Sequence, residues 1–151
     1  MRPQQAGEPQ PPAPAGPERR KQRVLFVCIG NSCRSQMAEA LARTYGSDVM
    51  EVHSAGVSPA TIISPLTRKV LGEKRLNIDG QFPKGVDQFA RVRFDLIVNM
   101  SGMPVAMEGA RILEWSIPDP IGRTEDVYRT VESQIEALVM RLILELRAST
   151  I

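Results

Sequence analysis

Val24 to Val27 is an unbroken apolar run of β-branched and aromatic residues whose length suits a buried parallel strand. It stops at Cys28 and a polar, glycine-containing loop. From Ser32 to Tyr45 the spacing turns helical: Met37, Leu41 and Tyr45 share one face, Ala38 and Ala42 lie beside them, and Gly46 supplies a stop. Val49 to His53 reads as a second strand, closing at Ser54-Ala55-Gly56. Ser64-Pro65 has the form of an N-cap followed by proline at the first helical position, with Leu66, Val70 and Leu71 as the apolar stripe. Residues 76–92 carry mixed signals, with turns at Gly80, Pro83 and Gly85. Phe94 to Met100 predicts a third strand and Arg111 to Ile117 a fourth, more charged one. Over residues 124–147, Tyr128, Val131, Ile135, Leu138, Val139, Leu142 and Leu146 recur at steps of three and four, the strongest helical pattern in the chain.

The order is strand, helix, strand, helix, strand, short helix, strand, long helix. Such alternation predicts an α/β fold: a single three-layer domain with a four-stranded parallel sheet in the flavodoxin-like order 2-1-3-4, flanked by helices on both faces. Ligands of open parallel sheets bind beyond the carboxyl ends of the strands. The Cys28 loop lies at one such end and Pro118-Asp119-Pro120 at another.

Composition narrows the class. A chain of 151 residues with 42% hydrophobic and 24% charged side chains fits one globular domain. The net charge of +2 gives no basic field for nucleic acid. Residues 1–23 hold five Lys or Arg against two Glu, so the slight basicity belongs to the N-terminal arm. Residues 1–20 contain six of the twelve prolines and almost no large apolar side chain, which predicts a disordered, Pro-rich arm over 1–22 and a folded domain over 23–151. The chain shows neither an apolar run of membrane-spanning length nor the apolar segment of a secretory signal. Two cysteines five positions apart make no disulfide framework, and a reducing, cytoplasmic setting is expected.

The loop Cys28-Ile29-Gly30-Asn31-Ser32-Cys33-Arg34-Ser35 concentrates the chemistry. Five residues separate a thiol from a guanidinium, between a strand and a helix N-terminus. Backbone amides of Ile29, Gly30, Asn31, Ser32 and Cys33 can converge on one tetrahedral anion, aided by the helix dipole and the bidentate fork of Arg34. The same field favours a Cys28 thiolate, which Ser35 can stabilise by a hydrogen bond. Gly30 permits close backbone approach and Asn31 tolerates a left-handed conformation. No Gly-Lys-Ser/Thr follows, so this is not a nucleotide loop. His53, the only histidine, is too little for a zinc site or a Cys-His pair, and neither a metal nor another cofactor is expected.

The run from Val24 to Glu39, with Ser54-Ala55-Gly56 and Asp119-Pro120, resembles the low-molecular-weight protein tyrosine phosphatase superfamily over residues 23–147. The resemblance implies a catalytic set of Cys28, Arg34, Asp119 and Ser35. Cys28 attacks phosphorus, Asp119 protonates the leaving oxygen and then activates water, and no metal takes part. It also implies that Cys33 can form a reversible disulfide with Cys28; the bland reading of Cys33 is a helix-start residue packed on the sheet. Ser32, Gln36, Met37 and Val98 to Gly102 look more like the thioredoxin-coupled arsenate reductases. That branch places resolving cysteines at about Ser101 and near Glu108, where this chain has none, so a three-cysteine relay cannot operate. Ile121-Gly122 and Val57-Ser58-Pro59 stand where eukaryotic phosphatases of the superfamily carry aromatic residues. The reading placed first is therefore a phosphatase acting on a phosphorylated protein or small phosphomonoester through a cysteinyl-phosphate. Arsenate reduction with an external small thiol is second and a cysteine phosphocarrier third. Phosphate, sulfate and arsenate are the oxyanions expected in the loop, with no nucleic-acid or membrane partner.

Overall fold

The computed structural model describes residues 20–149; most of the arm expected over 1–22 lies outside them. The first strand, β1 (Gln22–Cys28), begins where the composition changes, and β2 (Met50–Gly56), β3 (Leu96–Asn99) and β4 (Arg111–Glu114) complete the sheet. All pairings are parallel and the order is β2-β1-β3-β4, as expected. Central β1 is paired on both sides, which is why Val24 to Val27 are fully buried and read as an apolar run. β4 is an edge strand, and its two exposed ends are the charged Arg111 and Glu114.

Three helices, α1 (Arg34–Tyr45), α2 (Pro65–Glu73) and α3 (Glu125–Ser149), enclose the larger core with Val24, Phe26, Val52, Leu96 and Val98. The opposite sheet face, with Leu25, Val27, Ala55 and Ile97, is covered by a one-turn 3-10 helix (Val86–Phe89) and by loop residues such as Val57, Val105 and Met107. The third layer is thus much thinner than the first. The short helix expected between the third and fourth strands is not formed. Residues 100–110 cross as a loop through Gly102 and Gly109, both with positive φ, and the short helical turn falls before β3 instead.

Two local expectations are corrected. Tyr45, placed on the buried stripe of α1, is 44% exposed, whereas Gln36 and Glu39 are buried. α1 is wedged between sheet and α3, so nearly its whole N-terminal half is enclosed. Ser64 does stand at the N-cap of α2 with Pro65 behind it, but its hydroxyl does not cap the helix; it meets the Tyr128 hydroxyl on α3 at 2.9 Å. Among the described residues, no helix is long and apolar enough to cross a membrane.

Candidate active site

The loop after β1 is held from outside by its carbonyls. Those of Cys28, Ile29 and Gly30 accept the amides of Val57, Ser58 and Ala60 at 3.1, 2.8 and 2.9 Å. The Asn31 carbonyl accepts Gln36 Nε2 at 3.0 Å. The Ser32 carbonyl accepts both the Ser64 amide and Thr67 Oγ1 at 3.0 Å, and that of Cys33 accepts the Met37 amide at 2.8 Å. In a planar trans peptide the following N–H points opposite to the C=O. Turning these carbonyls outward therefore turns the amides of residues 29–34 inward. Among the described residues, none of the amides of Ile29 to Cys33 donates to a protein acceptor. They form a ring of free donors at the N-terminus of α1, which suits an anion.

Asn31 has φ 52°, the left-handed conformation expected of it. Its side chain is locked. Oδ1 accepts the Lys84 amide at 2.9 Å and Gln36 Nε2 at 3.1 Å, so Nδ2 faces Ser35 Oγ at 2.7 Å and Ser54 Oγ at 3.0 Å. With Asn31 donating to both serines, Ser54 gives its proton to the Glu39 carboxylate and Ser35 is left to donate to Cys28 Sγ at 2.9 Å. The Ser35 amide lies 3.4 Å from the same sulfur. The Glu39 carboxylate is balanced by Arg43 at 2.7 Å and the mostly buried Lys84 at 3.9 Å. Gly56 explains the Ser-Ala-Gly end of β2: a Cβ there would lie 2.7 Å from the Ile29 carbonyl oxygen and 2.9 Å from the Asn31 nitrogen. A Cβ at Gly30 meets nothing closer than 3.4 Å, so the glycine that packing demands is Gly56 rather than Gly30.

Arg34 is buried and aimed by two distant carbonyls. Its Nη1 donates to Met100 O at 2.6 Å and Ile117 O at 3.0 Å, fixing the plane of the guanidinium. Its Nε is buried without a partner among the described residues, and Nη2 lies 3.5 Å from Asp119 Oδ2. A buried N–H with no protein acceptor is a donor that an anion in the cavity could take up. The Asp119 side chain is 46% exposed, and its other oxygen accepts the Ile121 amide at 3.1 Å. Cys28, Ile29, Gly30, Ser32, Cys33, Arg34 and Asp119 line one cavity of about 200 Å³, with Ala60 and Ile121 as its apolar walls. The predicted site residues thus converge, except that Asn31 and Ser35 act from behind the loop.

Cys33 is buried, and desolvation pushes its thiol up to about 12, so it stays protonated at neutral pH. His53 is paired with Glu51 at 2.7 Å and packs edge-on to Phe89 and Phe94, away from the cavity. Ser101, where a resolving cysteine was expected, hydrogen-bonds to Asn99 Oδ1 at 2.6 Å beside the carbonyl that holds Arg34. Gln36, Glu39 and Ser54 lie in the runs that carry the resemblance but were given no supporting role, and Thr67 and Lys84 left no signal in the sequence.

A cysteine beside a ring of outward-braced peptides at the carboxyl edge of a parallel sheet defines an enzyme class that handles tetrahedral oxyanions. The chain belongs to the low molecular weight phosphotyrosine protein phosphatase family, whose model matches residues 23–150. It is 33% identical over 126 residues to a glutaredoxin arsenate reductase of Synechocystis, covering 80% of this chain and 95% of that protein. It is 32% identical over 126 residues to arsenate reductase 1 of Bacillus cereus, covering 80% and 93%. Among solved structures it resembles an arsenate reductase in the phosphate binding state, with a TM-score of 0.74 and 31% identity over 83% of this chain and 98% of that one. It also resembles the YwlE arginine phosphatase from Geobacillus stearothermophilus, with a TM-score of 0.70 and 28% identity over 84% and 94%.

Proposed function

We propose that this protein is an arsenate reductase whose electrons come from an external thiol. The observation that carries the reading is the similarity, over 80% of this chain, to proteins named arsenate reductases, which reverses the order in which hydrolysis and reduction were expected. The small cavity, walled by Ala60 and Ile121 without an aromatic clasp, suits a bare oxyanion.

In this mechanism arsenate sits among the inward amides of the loop, the unpartnered Nε of Arg34 and its Nη2, which faces Asp119. The Cys28 thiolate, held by Ser35, attacks arsenic. An As–OH group leaves as water with a proton from Asp119, giving a Cys28–S–As(V) adduct. An external thiolate then attacks Cys28 Sγ. The S–As bond breaks with its electron pair on arsenic, so arsenite leaves as As(III) and Cys28 is left in a mixed disulfide. A second external thiol displaces Cys28 and completes the disulfide of the donor. Two thiols are oxidised for each arsenate reduced. Desolvation pushes the Cys33 thiol up, which disfavours it as the resolving thiolate and leaves that part to an external donor.

Phosphomonoester hydrolysis is the second reading, favoured by Asp119 beside Arg34 at the cavity mouth and by the resemblance to a phosphatase structure. One paired assay separates them. Arsenite formation is followed with glutathione or reduced glutaredoxin, and nitrophenolate release from p-nitrophenyl phosphate without thiol, in wild type and Cys28→Ser. Thiol-dependent arsenite formation that vanishes in Cys28→Ser supports reduction. Its absence, with sustained nitrophenolate release, overturns that reading in favour of hydrolysis.

A further inference from the structure

The start of α2 touches the anion loop and nothing else in the mechanism uses it. Thr67 is fully buried, and its hydroxyl donates to Ser32 O at 3.0 Å, beside the Ser64 amide on the same oxygen. The peptide that bears this oxygen also bears the Cys33 N–H, one of the inward donors. Two donors on one carbonyl fix the rotation of that peptide plane more tightly than one. Ser64, in turn, gives up helix capping to meet Tyr128 of α3, a residue 2% exposed. A serine at an N-cap ordinarily bonds its own helix. Here the bond tethers the first turn of α2 to α3.

We infer that Thr67 is a positioning residue for oxyanion binding: with Ser64, and braced by Tyr128, it clamps the Ser32 carbonyl so that the Cys33 amide faces the bound anion. The inference rests on the oxyanion-loop reading above. The clamp acts on the anion's donors and not on the nucleophile, because neither residue contacts Cys28 Sγ, whose described partners are the hydroxyl and amide of Ser35.

The test uses the full chain with inorganic phosphate as the probe. Alkylation of Cys28 by iodoacetamide is timed at rising phosphate in wild type, Thr67→Val, Thr67→Ser and Tyr128→Phe, with thermal melts alongside. Thr67→Val keeps the branched shape and loses the donor. It should need about tenfold more phosphate for half-protection, the equivalent of one net hydrogen bond, with each variant's protection read against its own rate without phosphate. Thr67→Ser should fall within about twofold of wild type by restoring the hydroxyl. Tyr128→Phe should shift in the same direction by less, and decides the matter if Thr67→Val does not fold. Half-protection of Thr67→Val at the wild-type concentration, or a Thr67→Ser loss as large as that of Thr67→Val, overturns the inference. Wild type unprotected by any phosphate concentration overturns the oxyanion reading itself, and the inference with it.

Discussion

Glu132, on the buried face of α3, should make the fold less stable as pH rises through neutrality. Its residue is 1% exposed, Oε1 lies 3.2 Å from Lys74 Nζ, and Oε2 is buried without a hydrogen-bond partner among the described residues. Lys74 is drawn more closely to Glu136, at 2.7 Å, so one ammonium serves two carboxylates. Burial pushes Glu132 from its ordinary 4.5 up to about 7, and Glu136 adds to the rise. The folded state therefore binds more protons than the unfolded chain between these values. The stabilisation is full below about pH 4.5 and is lost as pH climbs through about 7. A rise of that size corresponds to about 3 kcal/mol once Glu132 is ionised. Glu132→Gln keeps the shape and removes the titration. Its stability advantage over wild type should widen by about 2–3 kcal/mol between about pH 5 and pH 8, measured by urea denaturation at each pH. Taking the difference cancels carboxylates that both proteins share, such as Asp95 and Glu51. An unchanged gap at the two pH values would refute the reasoning.

Three further outcomes follow from the site. Gly56→Ala forces a Cβ against the backbone of residues 29–31 and should lower stability by about 2 kcal/mol or more, read from thermal melts, and weaken phosphate protection of Cys28. Arg34→Lys loses the planar fork and its two-carbonyl brace, and oxyanion affinity should fall by about 100-fold, read by phosphate inhibition of alkylation. Asp119→Asn should cut turnover of an alkyl phosphate by about 10²-fold, because its alkoxide needs a proton to leave, and that of p-nitrophenyl phosphate by less, because nitrophenolate leaves readily without one.

How much of this was legible follows the range of the interactions. The Cys28 loop was readable because nucleophile, amides and guanidinium lie within seven consecutive residues, and the central strand was readable because Val24 to Val27, all fully buried, form an unbroken apolar run. The brace on Arg34 was not, since its carbonyls come from positions 66 and 83 residues away and a carbonyl leaves no mark in a sequence. Nor was the network behind the loop. Gln36, Glu39 and Ser54 look like surface residues by polarity, yet each is buried because its polar atoms are met by others from distant segments. The thinness of the third layer was not legible for a related reason. Val86, Phe89, Val92 and Phe94 sit among turn residues, and their apolar side chains cover the sheet without a regular period.

The pocket alone does not choose between reduction and hydrolysis; the element bound in it does. Both routes begin with the same bond from Cys28 Sγ to a tetrahedral centre held by the same amides and Arg34. A thiol that attacks sulfur in the arsenic adduct leaves an electron pair on arsenic, which is stable as As(III). The corresponding step on a phosphorus adduct would demand reduction of phosphorus, so that adduct can end only by attack of water at phosphorus, with Asp119 as base. External thiol should therefore govern the rate with arsenate and leave the rate with a phosphomonoester untouched. Cys28 lines the cavity and is 2% exposed, so in the proposed reduction a donor would need a thin, protruding thiol. Enlarging the mouth by Ile121→Ala should then raise turnover more with a bulky donor such as reduced glutaredoxin than with glutathione, as read from arsenite formed at matched thiol. Equal gains with both donors would show that access to Cys28 Sγ is not what limits the second step.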